Sequence, residues 1–277
     1  MTGAEALRAA IPELRAAGVE DAPRDARLLL AHALGIAADR LPLFLHDIMP
    51  DQSASLFRAA VSARLGRQPV AQIIGKRLFW GRSFTVTRDT LDPRPETECL
   101  VAEALRRPFV KLLDLGTGTG CILLSCLAEM PMARGVGTDI SGAAIDVAQA
   151  NAAQLGLASR ARFVVSDWFA QISGRFDLIT ANPPYISGDE MQRLSPEVRN
   201  WEPHLALSPG GDGLEAYRTI AAGAAARLLA GGRLLLEIGP TQAAAVCNLL
   251  STQGFEAIRV IQDFDGRDRV VAAKMPV

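Results

Sequence analysis

The chain has 277 residues, 49% of them hydrophobic and 21% charged, and its 29 basic residues nearly balance its 30 acidic ones. This composition is typical of a soluble globular protein with a sizeable core, and the near-zero charge argues against a partner such as long duplex DNA. There is no apolar run that would cross a membrane, no signal or transit peptide and no CxxC pair among four cysteines, so we expect a cytoplasmic protein with reduced thiols and no metal site.

The first part of the chain has the pattern of a small helical bundle. Thr2 and Glu5 fit a capping box at the start of a first helix. Gly35 ends a second helix, and a third helical pattern begins at Asp51. We therefore expect residues 1–75 to form an N-terminal helical domain joined by short connections.

The remainder of the chain predicts a hairpin followed by an α/β domain. Residues 76–92 alternate β-branched and aromatic residues around Gly81, which predicts a β-hairpin linker. Strand and helix patterns then alternate over residues 93–277, which predicts a mostly parallel sheet with helices on both faces. The last two strands are joined too tightly for a helical crossover, so we expect one antiparallel strand.

A glycine-rich stretch, "DLGTGTG", lies between the first strand of this sheet and the helix that follows it. Glycines at three alternate positions let the backbone turn sharply and let a ligand approach closely. The spacing is GxGxG and not the GxGxxG of nicotinamide sites, and a tight turn without a ligand is the alternative. The candidate cofactor residues of this loop are Asp114, Gly116, Thr117, Gly118, Thr119 and Gly120.

Acidic and aromatic residues end the next two strands. Asp139 lies about 20 residues beyond the glycines, where an acid receives ribose hydroxyls in doubly wound folds. Asp167 and Trp168 end the third strand, where an acid and a ring suit the amino group and the face of an adenine. Together these residues predict a nucleoside site at the ligand-binding edge of the sheet.

The tetrapeptide "NPPY", Asn182, Pro183, Pro184 and Tyr185, ends the fourth strand. With the glycine loop, Asp139 and the Asp167–Trp168 pair, it resembles the motif order of class I S-adenosylmethionine-dependent methyltransferases with a Rossmann-like sheet. The resemblance implies S-adenosyl-L-methionine as the cofactor, with Asn182 among its contacts, and a planar amide or exocyclic amine as the methyl acceptor.

The tetrapeptide suits a weakly nucleophilic nitrogen that carries two N–H donors, both of which need acceptors once buried. The Asn182 side-chain oxygen is expected to accept one, and the Pro183 carbonyl the other. Tyr185 is expected to pack over the flat group near the cation. Positioning and desolvation then suffice without a strong base or a metal.

A second motif, "DPRPETECLV" from Asp92 to Val101, narrows the resemblance to the glutamine methyltransferases of peptide-chain release factors. The likeness covers nearly the whole chain and includes "FWGRSFTV", "WEPHLAL" and "GGDGLEAYR". It implies methylation of the side-chain nitrogen of the glutamine in a Gly-Gly-Gln tripeptide. One departure is Asp92, where the family usually has an aliphatic residue, with Leu91 before it at a position sometimes held by an aromatic.

Substrate contacts are expected at Asn182, Pro183, Pro184 and Tyr185, and the resemblance adds Arg94 and Glu96 as wall residues. An inter-domain salt bridge is the alternative role for Arg94 and Glu96. Residues 186–213 are expected to form a substrate-facing flap, and the helical domain to grip a folded release factor.

The expected protein is a monomer with no stable nucleic-acid complex and no membrane contact. Three alternatives remain open at this stage. One is a glutamine methyltransferase acting on a ribosomal protein, a sister group with a different sequence where this chain has "RPETE". Another is an adenine-amine methyltransferase, which predicts a basic groove. The third is a non-catalytic binding module, against which the intact "GTGTG" and "NPPY" speak.

Overall fold

The computed structural model describes residues 1–277 and divides into two units, each with its own core. The first unit comprises residues 1–76 together with residues 195–201. The second comprises residues 77–194 and 202–277. A short stretch from the middle of the second unit's sequence therefore belongs to the first unit.

The first unit is helical, as the sequence predicts. Its Thr2 capping box is present, because the Thr2 hydroxyl accepts Glu5 N–H at 3.2 Å and Thr2 N donates to Glu5 Oε2 at 2.8 Å. The apolar faces of the main helices bury Leu14, Leu29 and Leu30 completely. The helices are α1 (Gly3–Ala16), α2 (Ala22–Leu34), a 3-10 helix (Ala38–Phe44), α3 (Asp51–Leu65), α4 (Val70–Ile74) and α9 (Pro196–Trp201).

The expected hairpin consists of two short strands, β1 (Lys76–Phe79) and β2 (Arg82–Thr85). A seven-stranded sheet follows, with the order β5-β4-β3-β6-β7-β9-β8. Its strands are β3 (Lys111–Leu115), β4 (Arg134–Asp139), β5 (Ala161–Val165), β6 (Phe176–Ala181), β7 (Leu228–Glu237), β8 (Glu256–Gln262) and β9 (Asp268–Lys274).

Only β9 runs against its neighbours: it pairs antiparallel with both β7 and β8, while β3 to β7 pair in parallel. The predicted class I methyltransferase sheet with one antiparallel strand is confirmed.

Helices cover both faces of the sheet because the side chains of each central strand alternate between two cores. Leu112 and Leu178 point into one core, with residues of α5 (Glu98–Leu105) and α6 (Cys121–Glu129). Leu113 and Ile179 point into the other, with residues of α11 (Glu215–Arg227) and α12 (Ala243–Thr252). The remaining helices of this unit are α7 (Gly142–Gln154), α8 (Gly188–Met191) and α10 (His204–Leu207).

The strand order places the functional edge of the sheet. The chain runs outward from β3 through β4 to β5 and then returns to β6 on the other side of β3. The loops that follow β3 and β6 therefore separate at a topological switch point, where ligands bind in open α/β sheets. No helix has the length and apolar character needed to span a membrane.

Candidate active site

A cavity of about 470 Å³ opens at this switch point, within the second unit. Its size is in the range that takes small-molecule ligands. Residues from the loops that follow β3, β4, β5 and β6 meet there. Among the sequence-predicted residues, those that line it are Arg94, Gly116, Thr117, Gly118, Thr119, Asp139, Asp167, Trp168, Asn182 and Pro184.

The glycine loop needs its glycines for backbone conformation. Gly116, Gly118 and Gly120 have φ angles of +64°, +52° and +78°, a region that side chains rarely adopt. Gly120 does not line the cavity, and a Cβ there would come within 3.3 Å of Ala148. Its contribution is the close approach of α6 to α7.

Asp114 holds the glycine loop through a hydrogen bond from Thr117 and does not line the cavity. The carboxylate is fully buried and accepts the hydroxyls of Thr117 at 2.6 Å and Thr180 at 2.7 Å. Burial raises its pKa to about 6, against the effect of the two hydroxyls. Asp114 therefore joins the ends of β3 and β6, and its contact with a ligand stays a prediction.

Asp139 ends β4 at the wall of the cavity. Its two oxygens accept Gly118 N–H at 2.9 Å and Ser141 N–H at 3.0 Å. Burial raises its pKa, and those backbone hydrogen bonds oppose the rise. Each carboxylate oxygen has a second lone pair with which to accept a ligand hydroxyl.

An apolar slot lies beyond Asp139. Ile140 is 59% exposed although it lines the cavity, and Trp168 forms part of the same lining. Trp168 adopts φ +44° at the end of its loop and packs its ring against the sheet core. The exposed Asp167 also lines the cavity, and the contact of this region with an adenine stays a prediction.

Asn182 follows β6 and presents its side chain at the cavity. Its Nδ2 donates to the Thr97 hydroxyl at 3.3 Å. Its Oδ1 and the Pro183 carbonyl accept no hydrogen bond from the protein. Two acceptors at the diproline corner are thus unoccupied by the protein's own donors.

Pro183 and Tyr185 are not among the cavity-lining residues. Pro183 is buried, and the half-buried Tyr185 ring packs against the second sheet core. The Tyr185 carbonyl accepts the Gln242 side-chain amide at 3.0 Å. Burial raises the pKa of the Tyr185 phenol to about 12, so the phenol is neutral at physiological pH. Their predicted contacts with a substrate stay predictions.

Arg94 lies at the cavity, and its Nη2 donates to both carboxylate oxygens of Glu202, at 2.8 and 2.7 Å. Both residues belong to the second unit, so this ion pair is not an inter-domain bridge. Glu96 is half-buried and does not line the cavity. Asp92, the departure from the family pattern, is 4% exposed and lines the cavity with an unpartnered Oδ1.

Two residues that line the cavity carry no predicted role from the sequence: Thr97 and Ile140. Thr97 stands within the quoted "RPETE" motif, and Ile140 directly follows the acid at a strand end. Both positions offered a signal.

Comparison with known proteins finds two matching family models and a similar curated relative. Residues 5–75 match the family described as PrmC N-terminal domain, and residues 87–199 match the methyltransferase small domain family. The release factor glutamine methyltransferase of Cereibacter sphaeroides is 60% identical over 276 residues, which cover 100% of this chain and 99% of that one.

Two solved structures resemble the chain in fold. A methyltransferase from Pyrococcus furiosus has a TM-score of 0.56 and 17% identity, over 79% of this chain and 98% of that one. The 16S rRNA N2 G1207 methyltransferase of T. thermophilus, solved in complex with AdoMet and guanosine, has a TM-score of 0.50 and 22% identity, over 72% of this chain and 49% of that one.

Proposed function

This chain belongs to the family of release factor glutamine methyltransferases, and we propose that it methylates the side-chain amide nitrogen of the glutamine in the Gly-Gly-Gln tripeptide of peptide-chain release factors. The observation that carries this proposal is the diproline corner at the cavity. The Asn182 side-chain nitrogen donates to the Thr97 hydroxyl. The Asn182 side-chain oxygen and the Pro183 carbonyl accept no hydrogen bond from the protein.

The cavity fits S-adenosylmethionine, which we propose as the cofactor. The Thr119 hydroxyl is buried there without a partner, and the glycine loop and Asp139 offer the donors and acceptors that a nucleoside and an amino acid require. We propose that the loop from Gly116 to Thr119, with Asp139, Asp167 and Trp168, holds it. When bound, this cofactor supplies an electrophilic methyl carbon on a sulfonium.

The chain's own residues orient the acceptor. An amide nitrogen is a poor nucleophile because its lone pair is delocalised into the carbonyl, and burial of its two N–H groups without acceptors is costly. Asn182 Oδ1 and the Pro183 carbonyl would each accept one N–H. These contacts hold the amide in place and increase electron density on its nitrogen, so most of the rate enhancement comes from positioning.

The other site residues act around this corner. Pro183 and Pro184 fix the backbone of the turn, because proline restricts φ to a narrow range. We propose that Tyr185 packs beside the substrate amide. We also propose that Arg94 and Glu96 hold the wall of the active site in place next to that amide. Asp114 acts by holding the loop through Thr117.

We propose that residues 1–75 recognise the body of the release factor and that residues 93–277 carry the catalytic site. Residues 76–92 connect these two parts of the chain. The enzyme would work as a cytoplasmic monomer, without a stable complex with nucleic acid or a membrane. Light scattering at several protein concentrations tests the monomer directly.

The test of the proposed corner is Asn182→Ala, with Asn248→Ala as a matched control at an exposed position of α12. We expect Asn182→Ala to lose at least about a hundredfold in methyl transfer, since one acceptor of the amide is gone, while calorimetry shows S-adenosylmethionine binding mostly retained. Asn248→Ala should transfer methyl groups like the parent. Equal activity of Asn182→Ala and the parent would refute the amide clamp.

A further inference from the structure

Asp92 is a buried acid without a partner at the wall of the cavity. The residue is 4% exposed, and its Oδ1 is buried with no hydrogen-bond partner. Its Oδ2 likewise accepts no hydrogen bond from the protein, but this oxygen is not fully buried. A buried carboxyl group without partners costs stability, so its presence at a cavity points to a ligand that supplies the missing donor.

The cations near Asp92 do not supply that donor. Arg94 is two residues away in the chain, and its Nη2 donates to both oxygens of Glu202. Burial raises the pKa of Asp92, and the charges of Arg94 and Arg77 oppose the rise. Burial also raises the pKa of Glu202 to about 7, against the effect of Arg94. Two acids thus share Arg94, and this wall favours a ligand that brings an N–H group.

Asp92 belongs to the chain segment that contacts Asn182. Residues 88–94 and Thr97 line the cavity together, and the Thr97 hydroxyl accepts Asn182 Nδ2–H at 3.3 Å. The residues proposed to hold the cofactor follow β3, β4 and β5 instead, and none of them lies in this segment. We therefore expect the group that meets Asp92 to come from the substrate and not from S-adenosylmethionine.

The proposed substrate brings N–H groups that still lack an acceptor. The two glycines of the Gly-Gly-Gln tripeptide have no side chains, so an enzyme contacts them through their backbone groups. Asn182 Oδ1 and the Pro183 carbonyl are assigned to the glutamine side chain. A glycine N–H that leaves water without a new acceptor loses a hydrogen bond at a cost. The open carboxylate of Asp92 removes that cost.

We propose that Asp92 is a substrate-binding residue, whose carboxylate accepts the backbone N–H of one glycine of the tripeptide. This inference rests on the proposed function of the site. A contact that is present both in the bound substrate and in the transition state increases affinity without changing the chemical step. Such a contact agrees with the resemblance, in which related enzymes usually have an aliphatic residue at this position.

Two substitutions separate the hydrogen bond from the volume of the side chain. Asp92→Asn keeps an oxygen acceptor, and Asp92→Leu removes it. For Asp92→Leu we expect KM for the release factor to rise roughly 10- to 100-fold, the loss of a hydrogen bond to a charged acceptor. Its kcat and its calorimetric Kd for S-adenosylmethionine should stay within about twofold of the parent. Asp92→Asn should raise KM by at most about fivefold.

A melting temperature tests whether Asp92 is only structural. Because its carboxyl group is buried without a partner, Asp92→Leu should melt no lower than the parent. A clear fall in melting temperature would identify a structural residue and overturn the proposal. The matched control is Asp146→Leu, at an exposed position of α7 outside the cavity, and its KM should equal that of the parent.

Changes in the substrate identify the donor. Replacing a glycine of the tripeptide by proline removes its N–H, whereas replacing it by alanine keeps the N–H. Calorimetry measures the Kd of each release-factor variant for the enzyme loaded with S-adenosylhomocysteine. We expect Asp92→Leu to weaken binding of the alanine variants by the factor found for the unchanged release factor. For one of the two proline variants, Asp92→Leu should cause no further loss.

The outcomes separate this inference from the proposed function. An unchanged KM in Asp92→Leu, with Asn182→Ala inactive, overturns the role of Asp92 and leaves the amide clamp intact. A weaker Kd for S-adenosylmethionine with an unchanged KM assigns Asp92 to the cofactor and also overturns it. So does a full loss with both proline variants, or an equal KM in Asp92→Asn and Asp92→Leu. Activity retained in Asn182→Ala contradicts the proposed function itself. If the proline variants do not bind the parent, the comparison of Asp92→Leu with Asp92→Asn decides alone.

Discussion

Asp139 shows how one side chain is shared between the fold and a ligand. Its carboxylate already accepts the N–H groups of Gly118 and Ser141, so it holds the glycine loop against the start of α7. The remaining lone pairs face the cavity that it lines. A substitution there is therefore expected to affect both loop geometry and ligand binding.

For Asp139→Ala we predict a Kd for S-adenosylmethionine that is roughly 10- to 100-fold weaker, the loss of one or two hydrogen bonds to a charged acceptor. Calorimetry on the purified variant measures it. Asp146→Ala, on the exposed side of α7, removes the same group outside the cavity and should bind like the parent. An unchanged affinity in Asp139→Ala would rule out a ribose contact.

At the residue scale, the sequence was informative where a residue type marks the end of a strand. Asp139, Trp168 and Asn182 all follow strands, and the structure brings them to one cavity. The hydrogen bond from Asn182 to the Thr97 hydroxyl was not predictable, because it joins residues 85 positions apart in the chain.

At the scale of elements, the alternating apolar patterns predicted the strands and major helices because one face of each is buried. The segment 186–213 was harder, because its fold depends on distant contacts and not on periodicity. It holds three short helices, and residues 195–201 belong to the first unit. Glu197 fixes them there: it accepts Arg64 at 3.0 Å and Arg67 at 2.8 Å.

We predict that Glu197→Ala destabilises the first unit by roughly 2 kcal/mol, since it removes the carboxylate that Arg64 and Arg67 share, while Arg64 keeps its ion pair with Asp25 at 2.8 Å. Burial opposes ionisation of Glu197, but the hydrogen bonds from Arg67 and Arg64 lower its pKa to about 2. The stabilisation is thus present above about pH 4.5 and is lost as the pH falls toward 2. Denaturant unfolding followed by probes in this unit measures the change.

The control for this variant is Glu129→Ala, which removes a more exposed ion pair with Arg82. Exposed pairs contribute about 0–1 kcal/mol, so Glu129→Ala should unfold nearly like the parent. Equal effects of the two substitutions would contradict the proposed importance of the Glu197 cluster. Proteolysis at residues 195–201 should also increase in Glu197→Ala only.

At the scale of the whole molecule, several buried acids make stability depend on pH in an unusual direction. Burial raises the pKa of Asp114 to about 6, that of Glu237 to about 7, and that of Asp92 above its usual value. The folded state therefore binds more protons than the unfolded state between about pH 4 and 7. These groups reduce the free energy of unfolding as pH rises through that window.

We predict a melting temperature for the parent that is higher at pH 5 than at pH 8, measured by calorimetry. Glu237→Gln should be more stable than the parent at pH 8, by at most about 3 kcal/mol, and the difference should vanish near pH 4.5. A melting temperature that rises steadily from pH 5 to pH 8 would contradict these raised pKa values.

The most direct measurement of the central claim is the position of the transferred methyl group. The enzyme is incubated with labelled S-adenosylmethionine and a mixture of release factor, ribosomal proteins and nucleic acid, and the labelled products are mapped by mass spectrometry. We predict label on the side-chain nitrogen of the Gly-Gly-Gln glutamine. Label confined to ribosomal proteins or to nucleic-acid bases would contradict the account.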